Sequence, residues 1–311
     1  MSEIDGNAMD FSPAANRAAV VPAFAEKFGR PPLPPEDPRA LLNDLVFARM
    51  IDPDWSPLAR AMVDKVSAKE EAVRLCPGLR TAPTVAVIAM DGVDSPLALF
   101  DRLRPFAGRD LVAKPAQASG GIVFLRGLKR PANVATLHAL ATHDYAGVMR
   151  EMQYAGLPRR VIVETLIPTR DGQPPDDLKF HCIGGEPIWC QVDHARFGGA
   201  WSRIFGVPEF APMDPDDGLV MPAGMSLPSA ERRAAMVAAA RALSAPFDYV
   251  RVDLYDGLDG IVFGELTFTP AASLGIAPSA LGSHRETETH RRFSRALMDA
   301  WRKGREGGNA G

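Results

Sequence analysis

The spacing of hydrophobic positions predicts helices in the first third of the chain and mostly strands from residue 110 onward. Apolar residues recur at helical spacing in several segments. Four of the helices are predicted to be capped by a polar side chain, and three to have proline in the first turn: the caps are Ser56, Ser95, Asn133 and Ser229, and the prolines are Pro38, Pro57 and Pro96. The predicted helices are 38–50, 57–66, 68–75, 96–103, 133–143, 230–243 and 287–305.

Strands are predicted where β-branched and aromatic residues alternate with polar ones or form short apolar runs. These segments are 84–89, 111–114, 122–125, 160–166, 178–183, 187–192 and two within 249–268. Helices followed by strands, without regular strand–helix alternation, indicate an α+β fold with mostly antiparallel sheets.

Two segments show no clear periodicity of hydrophobic residues. Residues 200–228 are rich in glycine and proline and are predicted to be irregular. Residues 1–36 read as a flexible, proline-rich lead with at most one or two helical turns at 20–28.

The segment 249–268 carries the clearest pairing signal. Its two halves alternate and flank the turn sequence Asp256-Gly257-Leu258-Asp259-Gly260. A three-residue loop ending in a left-handed Gly260 fixes the register of the two strands. That register pairs polar residues with each other: Asp253 with Glu265, and Arg251 with Thr267.

Asp253 and Glu265 would thereby lie about 5 Å apart, where two like charges destabilise a strand pair unless something compensates. A divalent cation between two carboxylates is the simplest compensation, and oxygen ligands suit Mg²⁺. Thr267 and Arg251 on the same face add a hydroxyl group and a positive charge suited to a phosphate or an oxyanion. The alternative is a surface hairpin whose carboxylates point into water or pair with arginines.

Composition and charge exclude several classes of protein. The chain has 311 residues, 46% of them hydrophobic, and a formal net charge of −3. The chain has no excess of basic residues, so its charge does not indicate nucleic-acid binding. No apolar run reaches the roughly 18 residues of a membrane-spanning helix. The N-terminus is unlike a secretory signal, and the three cysteines lack a metal-binding spacing. We expect a cytoplasmic protein without disulfides; the oligomeric state is not indicated.

Two lysines are candidates for phosphate binding. Lys114 ends a buried strand and precedes the loop Gln117-Ala118-Ser119-Gly120-Gly121, whose backbone N–H groups could complete a polyphosphate cradle. Lys179 shares a strand face with Asp177, which could hold it toward a phosphate. The alternatives are an ordinary hairpin for Lys114 and a simple ion pair for Lys179.

Two further segments could bind ligands. Glu164-Thr165-Leu166-Ile167 ends the strongest predicted strand and could present backbone groups to an adenine, or could form a strand-end salt bridge. A loop after the second hairpin could recognise an anionic or sugar acceptor, or could simply be solvated. Its candidate residues are His194, Arg196 and Arg203.

In this order and spacing the motifs resemble the TupA-like ATP-grasp family, named after teichuronopeptide biosynthesis. The matching pieces are Lys-Pro at 114–115, Glu-x-x-Ile at 164–167, Asp-x-Lys at 177–179, Arg-x-Asp at 251–253 and Phe-Gly-Glu-Leu-Thr at 263–267. Asp64-Lys65 and Glu151-Met152-Gln153-Tyr154 also match, so the resemblance spans about residues 40–300.

The resemblance implies an α+β ATP-grasp fold, in which two antiparallel β-rich subdomains hold ATP between them after an N-terminal helical segment. The implied division is a helical part at 37–109, an ATP-lid subdomain at 110–170 and a catalytic subdomain at 171–305, with a tail at 306–311. The residues that would bind the phosphates are Lys65, Lys114, Lys179 and Asp177. The loop residues that would cover the phosphates are Ser119, Gly120 and Gly121. Glu164, Thr165, Leu166 and Ile167 would form the adenine hinge. Asp253, Glu265 and Thr267 would hold Mg²⁺, and Arg251 and Lys179 would stabilise the transferring phosphoryl group.

The implied activity is an ATP-dependent ligase that phosphorylates a carboxylate and lets an amine displace the phosphate. The acceptor would be a small molecule or a saccharide, such as a uronic acid or amino acid of a cell-envelope polysaccharide. A kinase acting on a sugar-type hydroxyl and a non-catalytic ATP-binding module remain open alternatives.

Three positions depart from related sequences. Thr267 stands where many ATP-grasp enzymes have asparagine, and Thr269-Pro270-Ala271-Ala272-Ser273 lacks the usual glycine of the acceptor loop. Phe205-Gly206 stands near the place of a Tyr-Asp pair.

Overall fold

The computed structural model describes residues 9–169, 172, 174–194, 201–215, 220–223, 225–274 and 288–308. The helices are α1 (Pro13–Phe28), α2 (Leu42–Met50), α3 (Pro57–Val63), α4 (Ala68–Leu75), α5 (Pro96–Leu103), α6 (Ala135–Thr142), α7 (Tyr145–Met149), α8 (Ala230–Ser244) and α9 (Glu288–Gly308). The strands are β1 (Arg80–Thr81), β2 (Thr84–Ala89), β3 (Leu111–Pro115), β4 (Val123–Phe124), β5 (Arg160–Thr165), β6 (Asp177–Ile183), β7 (Glu186–His194), β8 (Trp201–Gly206), β9 (Ala211–Pro212), β10 (Tyr249–Gly257) and β11 (Gly260–Thr267).

The strands form two sheets. The larger has the order β1-β11-β10-β6-β7-β8-β9, and only β1 runs parallel to its neighbour. The smaller is antiparallel, with the order β2-β5-β3-β4. The predicted α+β class with mostly antiparallel sheets is confirmed. Because β1 and β2 both precede residue 110, the N-terminal helical part contributes a strand to each sheet.

Local sequence signals account for most helix starts. The side chains of Ser56, Ser95 and Ser229 each accept a hydrogen bond from the backbone N–H three residues later, so the predicted N-caps are confirmed. Asn133 was predicted to cap a helix, and that prediction was wrong. Its side-chain oxygen accepts from the backbone N–H groups of Lys129 and Arg130, and Asn133 itself lies in the 3₁₀ turn Pro131–Val134 that precedes α6.

Helix α1 is longer than the sequence predicted. It extends over 16 residues, with Ser12 accepting from Ala15 N–H at its start. The side chains of Val20 and Phe24 are buried against α2 in one apolar cluster, so this part of the predicted lead belongs to the folded core. Alanine is the best helix former, and several alanines outweigh the one internal proline, Pro22.

Strand β8 lies in the segment predicted to be irregular. It pairs along its whole length with β7. The surrounding glycines and prolines conceal its short alternation, and the register becomes evident only once β7 supplies the partner. Residues 200, 216–219 and 224 of that segment lie outside the described residues.

Both faces of the larger sheet are covered in part by helices. One face packs an apolar core against α3, α4 and α8, and the other packs against α2 and α9. The smaller sheet packs against α5 and α6. On the α9 side, polar side chains of β6, β7, β10 and β11 continue beyond the apolar cluster and leave a charged strip on the sheet. No helix within the described residues combines the length and hydropathy needed to cross a membrane.

Candidate functional site

The polar end of the β10–β11 hairpin has the predicted register. Asp253 lies opposite Glu265, and Arg251 lies opposite Thr267. The predicted loop was wrong by one residue, because Gly257 pairs with Gly260 and leaves a two-residue turn.

A bulge at Gly264 restores the register between the turn and the polar end. A side chain at Gly264 would lie 2.8 Å from the carbonyl oxygen of Asp253 and 2.8 Å from the ring of Tyr255, so this position requires glycine. The bulge also interrupts the alternation. Phe263 therefore joins Leu266 in the core, whereas unbroken alternation placed it on the face of Glu265.

Arg251 compensates the two opposed carboxylates in the ligand-free arrangement. Its guanidinium donates to both oxygens of Asp253 at 2.7 Å and to the hydroxyl of Thr267 at 3.0 Å, and it lies 3.6 Å from Glu265. The Asp253 side chain is only 2% exposed, which excludes the alternative of a solvated carboxylate. Burial raises the pKa of Asp253 to about 6, although Arg251 acts in the opposite direction.

The donor chemistry of this face fits Mg²⁺. The ion is usually held by one or two carboxylates together with substrate phosphates and water, and Asp253, Glu265 and the Thr267 hydroxyl are oxygen donors of that kind. Glu265 is the more accessible carboxylate, with 38% of its side chain exposed. Across the described part of the chain, no cluster of three or more histidine, cysteine, aspartate or glutamate side chains is arranged for a metal.

Lys179 extends this charged face onto β6. It lies in register with Asp253, is 7% exposed, and contacts Asp193 at 2.5 Å and Asp177 at 3.3 Å. His181 follows on the same face. Burial, with Arg251 and Lys179 adding to it, lowers the pKa of His181 well below its usual value, so the imidazole is neutral at pH 7.

A cleft between the two sheets brings most predicted site residues together. A cavity of about 370 Å³ has charged and glycine-rich walls. Its lining includes Lys65, Lys69, Lys114, Ser119, Gly120, Gly121, Glu164, Tyr255 and Glu265. An adjoining, mostly apolar cavity is lined in part by Val112, Ile122, Phe124, Thr165, Leu166, Ile167 and Asp177. The two cavities share Lys114, Ile122, Glu164 and Tyr255, so they form one continuous site.

Lys69 is a cleft residue that the sequence analysis missed. Its ammonium lies 2.5 Å from one oxygen of Glu164, whose other oxygen is 2.8 Å from Lys114. Burial raises the pKa of Glu164, but the two lysines outweigh burial and the net shift is downward. The available signal was that Lys69 follows the Asp64-Lys65 motif at a spacing of one helical turn.

Lys65 connects the glycine loop to the hairpin. Its ammonium donates to the carbonyl oxygen of Ala118 at 2.8 Å and lies 3.7 Å from Glu265. The preceding Asp64 points elsewhere, since it forms a salt bridge with Arg160 and accepts from the backbone N–H of Val66.

The predicted acceptor residues do not line the cleft cavities. His194 contacts Asp176 at 2.7 Å, and Arg203 donates to the carbonyl oxygen of Asp214. Arg203 is in register with Val192, a core residue on the sheet face opposite to the charged one. Arg196 lies outside the described residues. The acceptor role of these three residues stays a prediction.

The comparison with protein families shows which family the chain belongs to. The family described as TupA-like ATPgrasp matches residues 106–280, which is more than half of the sequence. The chain belongs to this family. The match includes every predicted site residue except Lys65, and the fold is therefore an ATP-grasp fold. No curated protein matches the chain.

Several solved ATP-grasp structures are similar at low identity. VanG D-Ala:D-Ser ligase from Enterococcus faecalis is 16% identical, with a TM-score of 0.42, over 79% of this chain and 62% of that chain. The ATP-grasp ligase PsnB complexed with its minimal precursor is 17% identical, with a TM-score of 0.38, over 80% and 62%. D-Alanine–D-alanine ligase from Bacillus anthracis complexed with ATP is 14% identical, with a TM-score of 0.41, over 79% and 67%. The chain thus spans less than two thirds of the length of the VanG and PsnB chains.

Proposed function

We propose that this member of the ATP-grasp family is an ATP-dependent ligase that joins a carboxylate to an amine through an acyl phosphate. The supporting observation is the charge arrangement of the cleft. Lys65, Lys69, Lys114 and a glycine loop line one cavity together with Glu265, which lies 3.7 Å from Lys65 and 3.6 Å from Arg251. Ammonium groups and carboxylate oxygens in the same cavity suit a polyphosphate with a bound cation.

ATP would bind along the continuous site. The apolar cavity at residues 165–167 suits an adenine, which can form hydrogen bonds with backbone groups of the hinge. The phosphates would then extend toward Lys114 and the loop 119–121, where ammonium and backbone N–H groups supply compensating charge.

Asp253, Glu265 and Thr267 would hold Mg²⁺, which when bound would supply positive charge that compensates the phosphates. Arg251, whose guanidinium contacts both carboxylates, would compensate negative charge on a transferring phosphoryl group. Lys179 is fixed by Asp177 and Asp193 and adds a second cation to this face. Such a site acts by positioning and charge neutralisation, so it needs no side-chain nucleophile.

The proposed reaction has two bond exchanges. A carboxylate oxygen of the acceptor attacks the γ-phosphorus, and the bond to the bridging oxygen of ADP breaks. The amine then attacks the acyl carbon, phosphate leaves with the bonding electron pair, and the amine loses a proton to water or a neighbouring base.

The acceptor is proposed to be a small molecule or saccharide of cell-envelope polysaccharide biosynthesis, such as a uronic acid or amino acid. This follows the family's association with teichuronopeptide and would place the reaction in the cytoplasm, where ATP is available. His194, Arg196 and Arg203 remain the proposed acceptor residues.

The reaction is tested by product analysis. Purified protein with Mg²⁺ and ATP should form ADP, phosphate and an amide in equal amounts when a productive carboxylate and amine are supplied. Release of AMP and pyrophosphate contradicts the mechanism, and a stable phosphorylated product without an amine requirement identifies a kinase. Lys114→Ala and Glu265→Gln should abolish turnover, whereas Lys129→Ala, an exposed lysine outside the cleft, should not.

A further inference from the structure

Positive charge is concentrated in one stretch of a chain that is negative as a whole. Residues 101–130 contain seven lysines and arginines and two aspartates, which gives this stretch a net charge of +5. Because the whole chain has a net charge of −3, the other residues together carry −8. One of the seven cations, Lys114, lies in the cleft. The other six are all exposed and have no role in the proposed reaction: Arg102, Arg104, Arg109, Arg126, Lys129 and Arg130.

The β3–β4 hairpin brings two of these cations together. The two strands are antiparallel, so Arg109, shortly before β3, and Arg126, shortly after β4, lie at the same end of the hairpin. The backbone N–H of Gly108 donates to the carbonyl oxygen of Leu125 at 2.9 Å and joins the two segments. The glycine loop connects the other ends of the strands, so this pair of arginines lies away from the proposed phosphate site.

Helix α5 brings the remaining four cations to the same place. Arg102 lies in its last turn, and Arg104 follows the helix on the way to β3. Lys129 and Arg130 directly precede the 3₁₀ turn Pro131–Val134, which packs against α5. The six cations therefore form one surface at this end of the smaller sheet, which we call the basic end.

Most of this charge is not neutralised within the protein. Four of the six cations form no ion pair with any described residue: Arg102, Arg109, Lys129 and Arg130. Arg104 lies 3.8 Å from Asp101, and Arg126 lies 2.5 Å from Asp110. All four side chains of these two pairs are more than half exposed, so water screens both pairs. The basic end is thus suited to a partner that presents many negative charges.

Two features favour a lipid surface over a nucleic acid as that partner. Proteins that bind single strands stack bases on aromatic rings, but the ring of Phe106 is already covered by the Arg109 guanidinium, 6.0 Å from its centroid. Leu97 is 56% exposed and lies seven residues before Arg104 in continuous helical backbone, so the two share one face of α5. An exposed apolar side chain beside basic residues is typical of helices that lie in a membrane interface.

We propose that the basic end docks this protein on a membrane surface that contains anionic phospholipids. The cations contact lipid phosphate groups, and Leu97 enters the apolar boundary beneath them. Because the rest of the chain is negative, the same surface repels the other faces of the molecule and so orients it. Docking of this kind does not depend on the proposed reaction.

Co-sedimentation with lipid vesicles tests the proposal. Wild-type protein should sediment with vesicles of equal parts phosphatidylcholine and phosphatidylglycerol, and should stay in solution with phosphatidylcholine alone. Salt at about 0.5 M should release the bound protein, because it screens charges more than a few ångströms apart. Wild-type protein that does not bind the anionic vesicles, or that binds both kinds equally, would overturn the proposal.

Two double variants with the same change of charge identify the surface. Lys129→Gln combined with Arg130→Gln should weaken binding to the anionic vesicles about 25-fold, at about fivefold per cation. Arg295→Gln combined with Lys303→Gln removes two exposed cations of α9 and should bind as wild type does. Both variants should keep the wild-type unfolding temperature. Equal weakening in the two would show that net charge, and not the basic end, governs binding.

A last comparison separates lipid from nucleic acid. Leu97→Ser should weaken vesicle binding about threefold or more, because an apolar contact with the lipid is lost. Leu258→Ser, at an exposed leucine of the β10–β11 turn, should leave vesicle binding unchanged. Tighter binding of a DNA duplex than of the anionic vesicles would overturn the assignment to lipid. Turnover of ATP is measured without vesicles, so its absence would contradict the proposed function alone.

Discussion

Glu164 shows how one buried carboxylate can organise two cations. Its side chain is 6% exposed and divides its two oxygens between Lys69 and Lys114. Lys69 also donates to the carbonyl oxygen of Ala82 and to the hydroxyl of Thr84, so it is held in place by three acceptors. Lys114 is the more exposed of the two, and we propose that it is the lysine that contacts a phosphate.

Replacing Lys69 should weaken nucleotide binding through Lys114. In Lys69→Met, Glu164 retains Lys114 as its only lysine partner and draws that ammonium away from the phosphates. We expect the dissociation constant for ATP, measured by calorimetry, to rise about tenfold, consistent with loss of one charge-assisted hydrogen bond. Lys129→Met, on the exposed surface, should bind as wild type does, and an unchanged affinity in Lys69→Met would contradict this account.

The same variant should also respond differently to acid. Because the folded-state pKa of Glu164 lies below its usual value, this group contributes stability above the unfolded pKa and loses it as pH falls through the folded pKa. Removing Lys69 raises the folded pKa, so the decline should begin at a higher pH. Urea denaturation of both proteins between pH 7 and pH 3 measures the shift; coincident profiles would show that Lys69 does not hold the charge of Glu164.

The turn after β11 carries backbone strain. Ala271, Ala272 and Ser273 all have positive φ values of 51°, 48° and 67°, in a region that costs L-residues roughly 1–2 kcal/mol each. Ala272 and Ser273 are buried, and the side chain of Asn43 donates to the carbonyl oxygen of Ser273. Packing and this hydrogen bond hold a conformation that the three residues would not adopt alone.

Glycine should relieve part of that strain. Ala271 is exposed, so Ala271→Gly removes no buried methyl group and should raise the free energy of unfolding by about 1 kcal/mol. Ala235→Gly is the matched control. It lies on the exposed face of α8 and should lower the free energy of unfolding by about 1 kcal/mol. Two variants that destabilise equally in urea would show that residue 271 is not strained.

At the scale of elements, the β10–β11 hairpin depends on its bulge. The two-residue turn alone would pair Asp253 with Gly264, and the bulge moves Glu265 into that place. The site face of β11 is thus set by Gly264 rather than by the turn.

A methyl group at Gly264 should disturb both stability and the site. Gly264→Ala brings its Cβ within 2.8 Å of a backbone oxygen, so we expect a loss of about 1–3 kcal/mol in unfolding free energy and weaker Mg²⁺-dependent ATP binding. Thermal denaturation and calorimetry measure the two effects. Gly304→Ala, in α9 with no atom near the added methyl, should be neutral or stabilising. A Gly264→Ala protein with wild-type stability and binding would show that the bulge can be dispensed with.

The whole molecule places its site where two independently packed sheets meet. The smaller sheet supplies Lys114 and Glu164, the larger supplies Asp253 and Glu265, and the helical part supplies Lys65 and Lys69. A ligand that bridges these parts binds the folded chain and stabilises it in proportion to RT ln(1 + [L]/Kd).

This coupling should be visible in thermal denaturation. ATP with Mg²⁺ at 100 times its Kd should stabilise the protein by about 2.7 kcal/mol, and ATP with a chelator should stabilise it less. Glu265→Gln should remove the difference between the two conditions. Glu186→Gln should retain it, because Glu186 is paired with Arg241 at the opposite end of the sheet. A wild-type protein whose stability does not depend on Mg²⁺ would contradict the proposed cation site.

Much of the fold could be read from short stretches of chain. The starts of α3, α5 and α8 follow from single serine caps, since a cap and its N–H partner are three residues apart. The opposition of Asp253 and Glu265 follows from strand alternation on either side of one turn. Here two errors, a turn one residue too long and a missed bulge, cancelled.

Contacts between distant residues could not be found in this way. Lys69 meets Glu164, and Glu151 meets Thr269, across more than 90 positions, and nothing in the local pattern of either residue specifies its partner. Strand β8 was missed for the same reason, because its partner strand and not its own composition defines it.

The difference between what the sequence alone determined and what only the tertiary structure decided has one physical cause. Hydrogen bonds of caps, turns and hairpins join groups that the covalent chain already holds close together, so residue types and spacing are enough to specify them. The compensation of buried charge depends on which side chains packing brings within a few ångströms, because a buried ion is stabilised only by the partners actually beside it. The sequence therefore determines which chemical group each position carries. The way the two sheets pack determines which of those positions meet in the cleft.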